Sequence, residues 1–141
     1  MLIVKIKSKR KRASIVIYFN PDNKILLLKR KEEATFAPNQ WGFVGGGAES
    51  GESFKEAAIR ETHEESGLKT LPEDLIKVTK FRHLDHYVVC VFACKRFEGT
   101  VDMKKVADEH YDYRWVGLDD VSNYDTAPHT QDLVQKAISM F

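Results

Sequence analysis

The sequence contains no long apolar run. Its opening apolar segment, residues 2–4, is far too short for the core of a secretory signal, and no later stretch approaches the roughly 20 residues that a membrane-spanning helix requires. We therefore expect a cytoplasmic protein that does not contact a membrane. The 141 residues, 43% of them hydrophobic, suffice for one core, so we expect a single domain over residues 1–141.

Cysteine is scarce, with only Cys90 and Cys94 in the chain. Their even spacing turns both thiols to one side of a predicted strand and separates them by about 13 Å, which is too far for a disulfide. We expect both to be reduced packing residues. His83 and His86, at a predicted hairpin tip, lack the spacing of a zinc site. We expect these two histidines to be exposed, with contact to substrate or to a partner subunit as the alternative.

A strong net charge is also missing, since 22 basic and 21 acidic residues leave a formal charge of +1. The charge is locally uneven, because basic residues crowd the amino end at positions 5, 7 and 9–12. No aromatic stacking residue is interleaved with this basic run, so we interpret it as a solvated strand end and turn. Attraction of phosphate or RNA is the alternative.

The most informative stretch is a glycine loop followed by a carboxylate-rich helix, between Gly46 and Leu68. Residues 50–53 supply capping hydroxyls and an early acid, and Gly67 is a natural stop, which together predict a helix over about residues 53–66. At 100° per residue, one face of this helix carries apolar residues together with three acids. The acids are Glu61, Glu64 and Glu65.

Carboxylates crowded beside apolar groups repel one another and raise each other's pKa values unless a positive charge compensates them. Oxygen ligands at positions i, i+3 and i+4 suit a hard divalent cation such as Mg²⁺ or Mn²⁺, which commonly bridges to substrate phosphates. A charged surface helix, the alternative, would place its acids opposite the apolar stripe. The pattern therefore predicts a magnesium or manganese site on this helix face.

The stretch 46–68 resembles the Nudix box, Gly-x5-Glu-x7-Arg-Glu-U-x-Glu-Glu-x-Gly-U, in which U is a bulky aliphatic residue. Every fixed position is present. Thr62 stands where the family usually has Ile, Leu or Val, and we expect a slightly polar packing position there. Residues 41–47 resemble the family's Trp-x-x-Pro-Gly-Gly segment, with Val44 in place of proline, which predicts a less rigid loop.

The resemblance implies a fold and a reaction. The implied fold is of the α/β class, a Nudix-type α/β/α sandwich with a mixed β-sheet. The implied reaction is metal-dependent hydrolysis of a phosphoanhydride in a nucleoside diphosphate linked to another group, with Mg²⁺ or Mn²⁺ as cofactor. The box and its flanks, from which this is inferred, cover about half of the chain.

The resemblance also implies the role of single residues. The implied metal ligands are the Gly45 carbonyl and the carboxylates of Glu61, Glu64, Glu65 and Glu109. Glu109 is chosen because it lies six residues before Trp115, and Asp108 is the alternative. The implied catalytic residues are Glu64, Glu61, Arg60, Glu52 and Glu109. Arg60 would pair with Glu52 and hold the acids in place, and an ordinary helix pair with Glu56 is the alternative.

Four residues are candidates for substrate contact: Arg30, Trp41, Gly46 and Gly47. Arg30 follows a predicted strand, where some MutT-type members place a phosphate-contacting arginine, and a solvated cation is the alternative. We interpret Trp41 as a core or cleft-wall residue, with a base-stacking platform as the alternative. The glycines would let the backbone come close to phosphates.

The rest of the chain alternates between strand and turn patterns. The predicted strands are residues 2–7, 14–19, 25–29, 42–44, 75–81, 87–97 and 111–116, and a final helix covers residues 130–140. The turn at residues 20–23 predicts a hairpin between the second and third of these strands. Residues 100–110 are predicted to be a charged loop.

Two functions from different classes follow. The first is an enzyme that cleaves a small-molecule nucleotide, a (deoxy)nucleoside triphosphate that is undamaged or damaged, to the monophosphate and pyrophosphate; a pyrophosphohydrolase of RNA caps or 5′ ends is its variant. The second is a catalytically weak Nudix module that binds a nucleotide or RNA. The intact acids favour the enzyme, because a binding module need not retain all of them. RNA is the less favoured ligand, and either a monomer or a homodimer fits.

Overall fold

We describe a computed structural model of the chain over residues 11–83 and 87–141. In these ranges the strands are β1 (Lys11–Tyr18), β2 (Lys24–Arg30), β3 (Trp41–Gly42), β4 (Val44–Gly47), β5 (Ile76–His83), β6 (Tyr87–Cys94) and β7 (His110–Gly117). The helices are α1 (Phe54–Ser66), α2 (Met103–Glu109) and α3 (Thr130–Ile138). The predicted strand at residues 2–7, most of the basic run and His86 lie outside the described residues.

The strands form two sheets. A four-stranded sheet has the order β4-β1-β6-β5 and is mixed, because β1 runs parallel to β6 and antiparallel to β4. A three-stranded sheet has the order β3-β2-β7 and is antiparallel. The predicted α/β class with mixed β structure and packed helices is therefore confirmed, although the strands are divided between two sheets.

The predicted hairpin between β1 and β2 is wrong, because these strands belong to different sheets and meet only at the bridge between Phe19 and Ile25. Both edges of β1 are occupied, by β4 and β6, so β2 cannot pair alongside it. The connection is instead closed by Asn20, whose Oδ1 accepts hydrogen bonds from the backbone N–H groups of Asp22 and Lys24.

Helix α1 begins and ends close to its predicted bounds. The Ser53 side chain accepts a hydrogen bond from the Glu56 backbone N–H, and the Glu56 carboxylate accepts one from the Ser53 N–H, which is a capping box. Gly67, at φ 86°, ends the helix in the left-handed conformation. Glu56 is thus engaged in the cap and is not paired with Arg60.

The buried side of α1 carries a hydroxyl network that accounts for Thr62. The Tyr18 hydroxyl donates to Thr62 Oγ1 at 3.0 Å and lies 2.6 Å from Thr70 Oγ1. Thr62 in turn donates to the Ala58 carbonyl. The slightly polar packing position expected at Thr62 is therefore confirmed, and an aliphatic residue there would remove an acceptor that the buried Tyr18 uses.

The predicted loop at residues 100–110 is wrong, since it contains α2. The Asp102 side chain accepts a hydrogen bond from the Lys104 N–H and begins the helix. Val106 is the one residue that this helix buries. A single buried apolar residue does not produce the repeating apolar pattern by which a helix is recognised in a sequence. Because α2 ends at Glu109, it fixes where that acid lies.

Two cores lie on the two sides of the four-stranded sheet. One packs under α1 and includes Cys90 and Cys94, which are free and buried, as expected. The other lies on the opposite side and is closed by α3, with Leu133, Val134 and Ala137 facing inward. Both cores include residues of the three-stranded sheet, because Ile25 and Leu27 of β2 face one core and Leu26 and Leu28 face the other. In the described ranges no helix is long and apolar enough to cross a membrane.

Candidate active site

A cavity of about 730 Å³ opens against the face of the four-stranded sheet that looks away from α1. Its two regions differ in chemistry. The region that we call the acidic end consists of Gly45, Gly46, Gly47, Glu61, Glu65 and Glu109. The region that we call the aromatic end consists of Phe36, Phe81, His83 and Tyr87. Since β4 and β5 are opposite edges of the sheet, three strand spacings, about 14 Å, separate the glycines from β5.

The glycines of β4 allow the strand to fit between β1 and α1. A Cβ atom at Gly45 would collide with the backbone of Ser14 and Ile15 on β1. A Cβ atom at Gly46 would collide with the carboxylate of Glu61 on α1. Backbone groups and carboxylates therefore meet directly at the acidic end, with no side chain between them.

Two carboxyl groups approach each other at the acidic end. Glu65 is only 9% exposed, and its Oε1 accepts a hydrogen bond of 3.1 Å from the Gly45 N–H. Burial, and then the neighbouring carboxyl of Glu109, raise the pKa of Glu65 to about 9. Burial also raises the pKa of Glu61. Closely spaced acids of this kind could bind a cation, whose positive charge would stabilise their ionised forms.

Arg60 is the cation that organises the rim of this region. Its Nε and one terminal nitrogen bind both oxygens of Glu52, at 2.7 and 2.9 Å, so the predicted contact between Arg60 and Glu52 is present. The same side chain donates to Glu61 at 2.9 Å, to Glu64 at 3.2 Å and to the Gly47 carbonyl at 2.9 Å. The bidentate bond lowers the pKa of Glu52 to about 2.

The structure divides the predicted acids into two groups. Glu61, Glu65 and Glu109 line the cavity, whereas Glu64 does not. The Glu64 side chain is 57% exposed to solvent and pairs with Arg60. Asp108 also lines the cavity, but Glu109 is the acid that lies beside Glu65. The helical periodicity predicts all three box acids on one face, but the structure puts Glu64 nearer the solvent edge of that face.

Arg30 and Trp41, both predicted to contact substrate, are placed differently. Arg30 lines the cavity, donates from Nε to the Phe36 carbonyl at 2.6 Å and stacks on the Phe36 ring. Trp41 does not line the cavity, because its ring packs edge-to-face on Tyr124 and lies under the guanidinium of Arg114. Of the two interpretations of Trp41, the packing residue fits this position and the base-stacking platform does not.

Sequence reasoning missed most of the aromatic end. Its expectation that His83 is exposed is wrong, since this residue is half-buried and its ring meets Phe36 edge-to-face, with centroids 4.5 Å apart. It also missed His110, which is 5% exposed, lines the cavity and has its pKa lowered to about 4, mainly by burial and then by Arg30. The alternation of β6, which turns Tyr87 and Val89 to the cavity side, is the one signal that pointed here.

The donors at the acidic end fit a hard divalent cation. They are carboxylate and carbonyl oxygens, the ligands that Mg²⁺ and Mn²⁺ prefer. Burial, and then Glu109, raise the pKa of Glu65, so a cation bound there would favour the ionised form of this acid. No three acidic, imidazole or thiol side chains within residues 11–83 and 87–141 stand close enough to form a ready ligand set. Glu65 and Glu109 are the close pair, while Arg60 holds Glu61.

Known proteins are similar to this chain in sequence and in architecture. The nucleoside triphosphatase NudI of Escherichia coli O139:H28 is 30% identical over 131 residues, which covers 82% of this chain and 89% of that protein. A MutT NUDIX hydrolase from Burkholderia pseudomallei has a similar structure, with a TM-score of 0.78, 24% identity and coverage of 92% of this chain and 98% of that one. The ORF135 protein of E. coli gives a TM-score of 0.73 at 26% identity, covering 94% of this chain and 91% of that one.

The family model described as the NUDIX domain matches residues 9–137, nearly the whole chain. This match includes both sheets and every member of the acidic end. Nudix hydrolases generally use divalent metal ions, which agrees with the oxygen donors found there. The chain therefore belongs to the NUDIX domain family and is a MutT-like Nudix hydrolase, an enzyme that acts on phosphoanhydride bonds.

Proposed function

We propose that this enzyme, acting as a single domain over residues 1–141, hydrolyses a (deoxy)nucleoside triphosphate, undamaged or damaged, to the monophosphate and pyrophosphate. The observation that carries the proposal is the cavity with an acidic end and an aromatic end. A nucleotide has charged phosphates at one end and a planar base at the other, so it could place its phosphates at the acidic end and its base at the aromatic end. Its volume of about 730 Å³ lies within the range of small-molecule sites. The printed name of the similar NudI protein, a nucleoside triphosphatase, supports the same substrate class.

The acidic end would bind the phosphates through a cation, for which we propose Mg²⁺ or Mn²⁺. Glu61, Glu65, Glu109 and the Gly45 carbonyl are the proposed ligands, and Glu64 completes the set from the rim. When bound, the cation supplies positive charge to the diphosphate oxygens and lowers the pKa of the attacking water. Gly46 and Gly47 let the phosphates approach the backbone of β4, since they place no side chain there.

The side chains supply the rest of the reaction. The water oxygen attacks the α- or the β-phosphorus and the bond from that phosphorus to the oxygen that bridges the two breaks. The leaving group, which is pyrophosphate after attack on the α-phosphorus and the monophosphate after attack on the β-phosphorus, departs with the electron pair of that bond. A carboxylate accepts the proton that the water loses, and we propose Glu64, Glu61 or Glu109 for this step. Arg60 keeps Glu61 and Glu64 in place through its bidentate anchor on Glu52.

Arg30 is the proposed phosphate contact on the opposite wall. Arg30 lines the cavity, and the nearby carboxylates of Glu65 and Glu109 act to raise the pKa of its guanidinium. This side chain therefore lies close to the proposed cation ligands. A guanidinium there would neutralise charge on the phosphates as the anhydride bond breaks.

A substrate panel tests the proposal. The common ribo- and deoxyribonucleoside triphosphates, an oxidised dGTP, a nucleoside diphosphate sugar and a capped RNA would each be incubated with the protein and Mg²⁺, and phosphate, pyrophosphate and nucleotide products measured. We expect monophosphate and pyrophosphate from a triphosphate, and none when a chelator is in excess. Release of orthophosphate with a diphosphate product would contradict the proposed bond cleavage. Binding of nucleotides without any hydrolysis would favour the binding module instead.

A further inference from the structure

Two buried histidine nitrogens lack a hydrogen-bond partner among the residues that the structure describes. They are Nε2 of His83 and Nδ1 of His110, and both histidines line the cavity. Buried polar side-chain atoms are paired in the large majority of cases, so each exception needs an explanation. A ligand that brings hydrogen-bonding groups into the cavity would supply the missing partners, and because both nitrogens are covered in this structure, it would displace a neighbouring side chain to reach them.

His83 lies at the aromatic end, away from the acids. It is the last residue of β5, and its register partner on β6 is Tyr87. The Phe36 ring packs against its imidazole with an interplanar angle of 79°. The sheet order places β5 three strand spacings, about 14 Å, from the glycines of β4. A nucleotide whose phosphates lie over β4 would therefore extend its base toward His83.

His110 occupies the other region. It directly follows Glu109 and is the register partner of Arg30 in the three-stranded sheet. A group bound near His110 is therefore close to the acids and to the arginine, where phosphate or sugar would lie. Of the two histidines, His83 is the one that belongs to the aromatic end, so we take it as the candidate for base contact.

We propose that His83 is a specificity-determining residue whose Nε2 hydrogen-bonds an edge of the substrate's nucleobase, while Phe36 and Tyr87 contact the faces and edges of its rings. The inference rests on the proposed function, because it takes the phosphates to bind at the acidic end. In one tautomer Nε2 donates to a base carbonyl, and in the other it accepts from a base amino group. Aromatic walls alone hold any base, whereas a buried hydrogen-bonding group disfavours a base that leaves it unpaired.

The test compares His83→Phe with His83→Gln. Phenylalanine keeps a flat ring against Phe36 but has no nitrogen, and the glutamine amide can reach the position of Nε2. His63→Gln is the matched control, because His63 lies on α1 and does not line the cavity. For each protein, kcat and KM are measured with the ribo- and deoxyribonucleoside triphosphates and Mg²⁺, after the melting temperature has shown that the variant is folded.

We expect the wild type to prefer certain bases and His83→Phe to lower kcat/KM for the preferred one by at least about tenfold, through KM. The ratios between bases should then become nearly equal, which a loss of general stability would not produce. His83→Gln should retain part of the preference, and His63→Gln all of it. Unchanged ratios in His83→Phe, or a wild type that treats all bases alike, would overturn the inference.

Calorimetric binding of α,β-methylene nucleoside triphosphates separates this inference from the proposed function. Hydrolysis whose base preference does not depend on His83 overturns the inference and leaves the function standing. Base-selective binding that His83→Phe abolishes, in a protein that hydrolyses none of the nucleotides, supports the inference and overturns the function. Absence of both binding and hydrolysis overturns both.

Discussion

The two ends of the cavity are assembled from the sequence in different ways. Apart from Glu109, the acidic end lies within residues 45–65, where a glycine strand and one helix follow each other. The aromatic end combines Phe36, from a distant loop, with three residues at the facing ends of the consecutive strands β5 and β6. Most groups proposed for the reaction thus belong to one motif with a recognisable spacing, whereas the groups proposed for choosing the substrate meet because a distant loop packs on a hairpin, a contact that no spacing encodes.

The largest expected effect comes from Glu65→Gln, which removes charge from the centre of the acidic end. Turnover should fall by at least about a hundredfold, the usual scale for loss of an acid–base or metal-positioning group. The metal-free protein should nevertheless become more stable. Because the folded pKa of Glu65 is about 9 and its ordinary value is 4.5, the folded protein keeps this carboxyl protonated while the unfolded chain ionises it, so stability falls as pH rises from about 4.5 to 9.

Glutamine avoids this cost, since its amide stays neutral, still accepts from the Gly45 N–H and can donate to Glu109. Urea unfolding in chelator should show a gain for Glu65→Gln that is larger by at least about 1 kcal/mol at pH 8 than at about pH 4, which lies below the ordinary pKa. Glu64→Gln is the contrast: turnover should also fall, but stability should not rise, because Glu64 is mostly exposed. A near-normal rate for Glu64→Gln at saturating metal would make this acid peripheral.

The next effect tests the one member of the acidic end that lies outside the contiguous segment. Glu109→Gln should lower turnover by at least about tenfold with little change in melting temperature, because it touches Glu65 at the proposed metal site. Asp108→Asn, one residue away on α2, should retain most of the activity. The reverse result would mean that the wrong neighbour was chosen, and normal rates in both would mean that the box acids act without a helix α2 carboxylate.

This contrast also explains how far the sequence could be read. Arg60 and Glu52 were correctly paired because the spacing of a known motif encodes the geometry of one helix and its entry loop. The sheet to which β2 belongs could not be predicted from the sequence. Strand pairing depends on which other strands occupy the edges of β1, and these are β4 and β6, which lie far along the chain. The partial burial of His83 could not be predicted for a similar reason, because the ring that packs on it, Phe36, belongs to a distant loop.

A smaller effect is expected when the aromatic end loses a ring. Phe36→Leu should raise KM for nucleotides about two- to tenfold, the scale of one aromatic contact, and leave kcat within about twofold. Trp41→Phe is the matched control, because Trp41 packs on Tyr124 outside the cavity and should not change KM. Equal KM values in Phe36→Leu and the wild type would show that the base binds elsewhere.

The smallest effect on hydrolysis is expected on the side of α1 that faces away from the cavity. Thr62→Val removes the oxygen that accepts a hydrogen bond from the Tyr18 hydroxyl. The buried hydroxyl then has only Thr70 as a partner, so the free energy of unfolding should fall by about 1–3 kcal/mol. In a Tyr18→Phe background that donor is absent, so the same change should cost less, and a double-mutant cycle in urea should give a coupling of at least about 0.5 kcal/mol. Turnover should stay within about twofold in all three variants, since neither residue lines the cavity. Additive stabilities would mean that the hydroxyls do not act as a network, and a large fall in turnover would mean that this buried contact positions the acids on the opposite face of the helix.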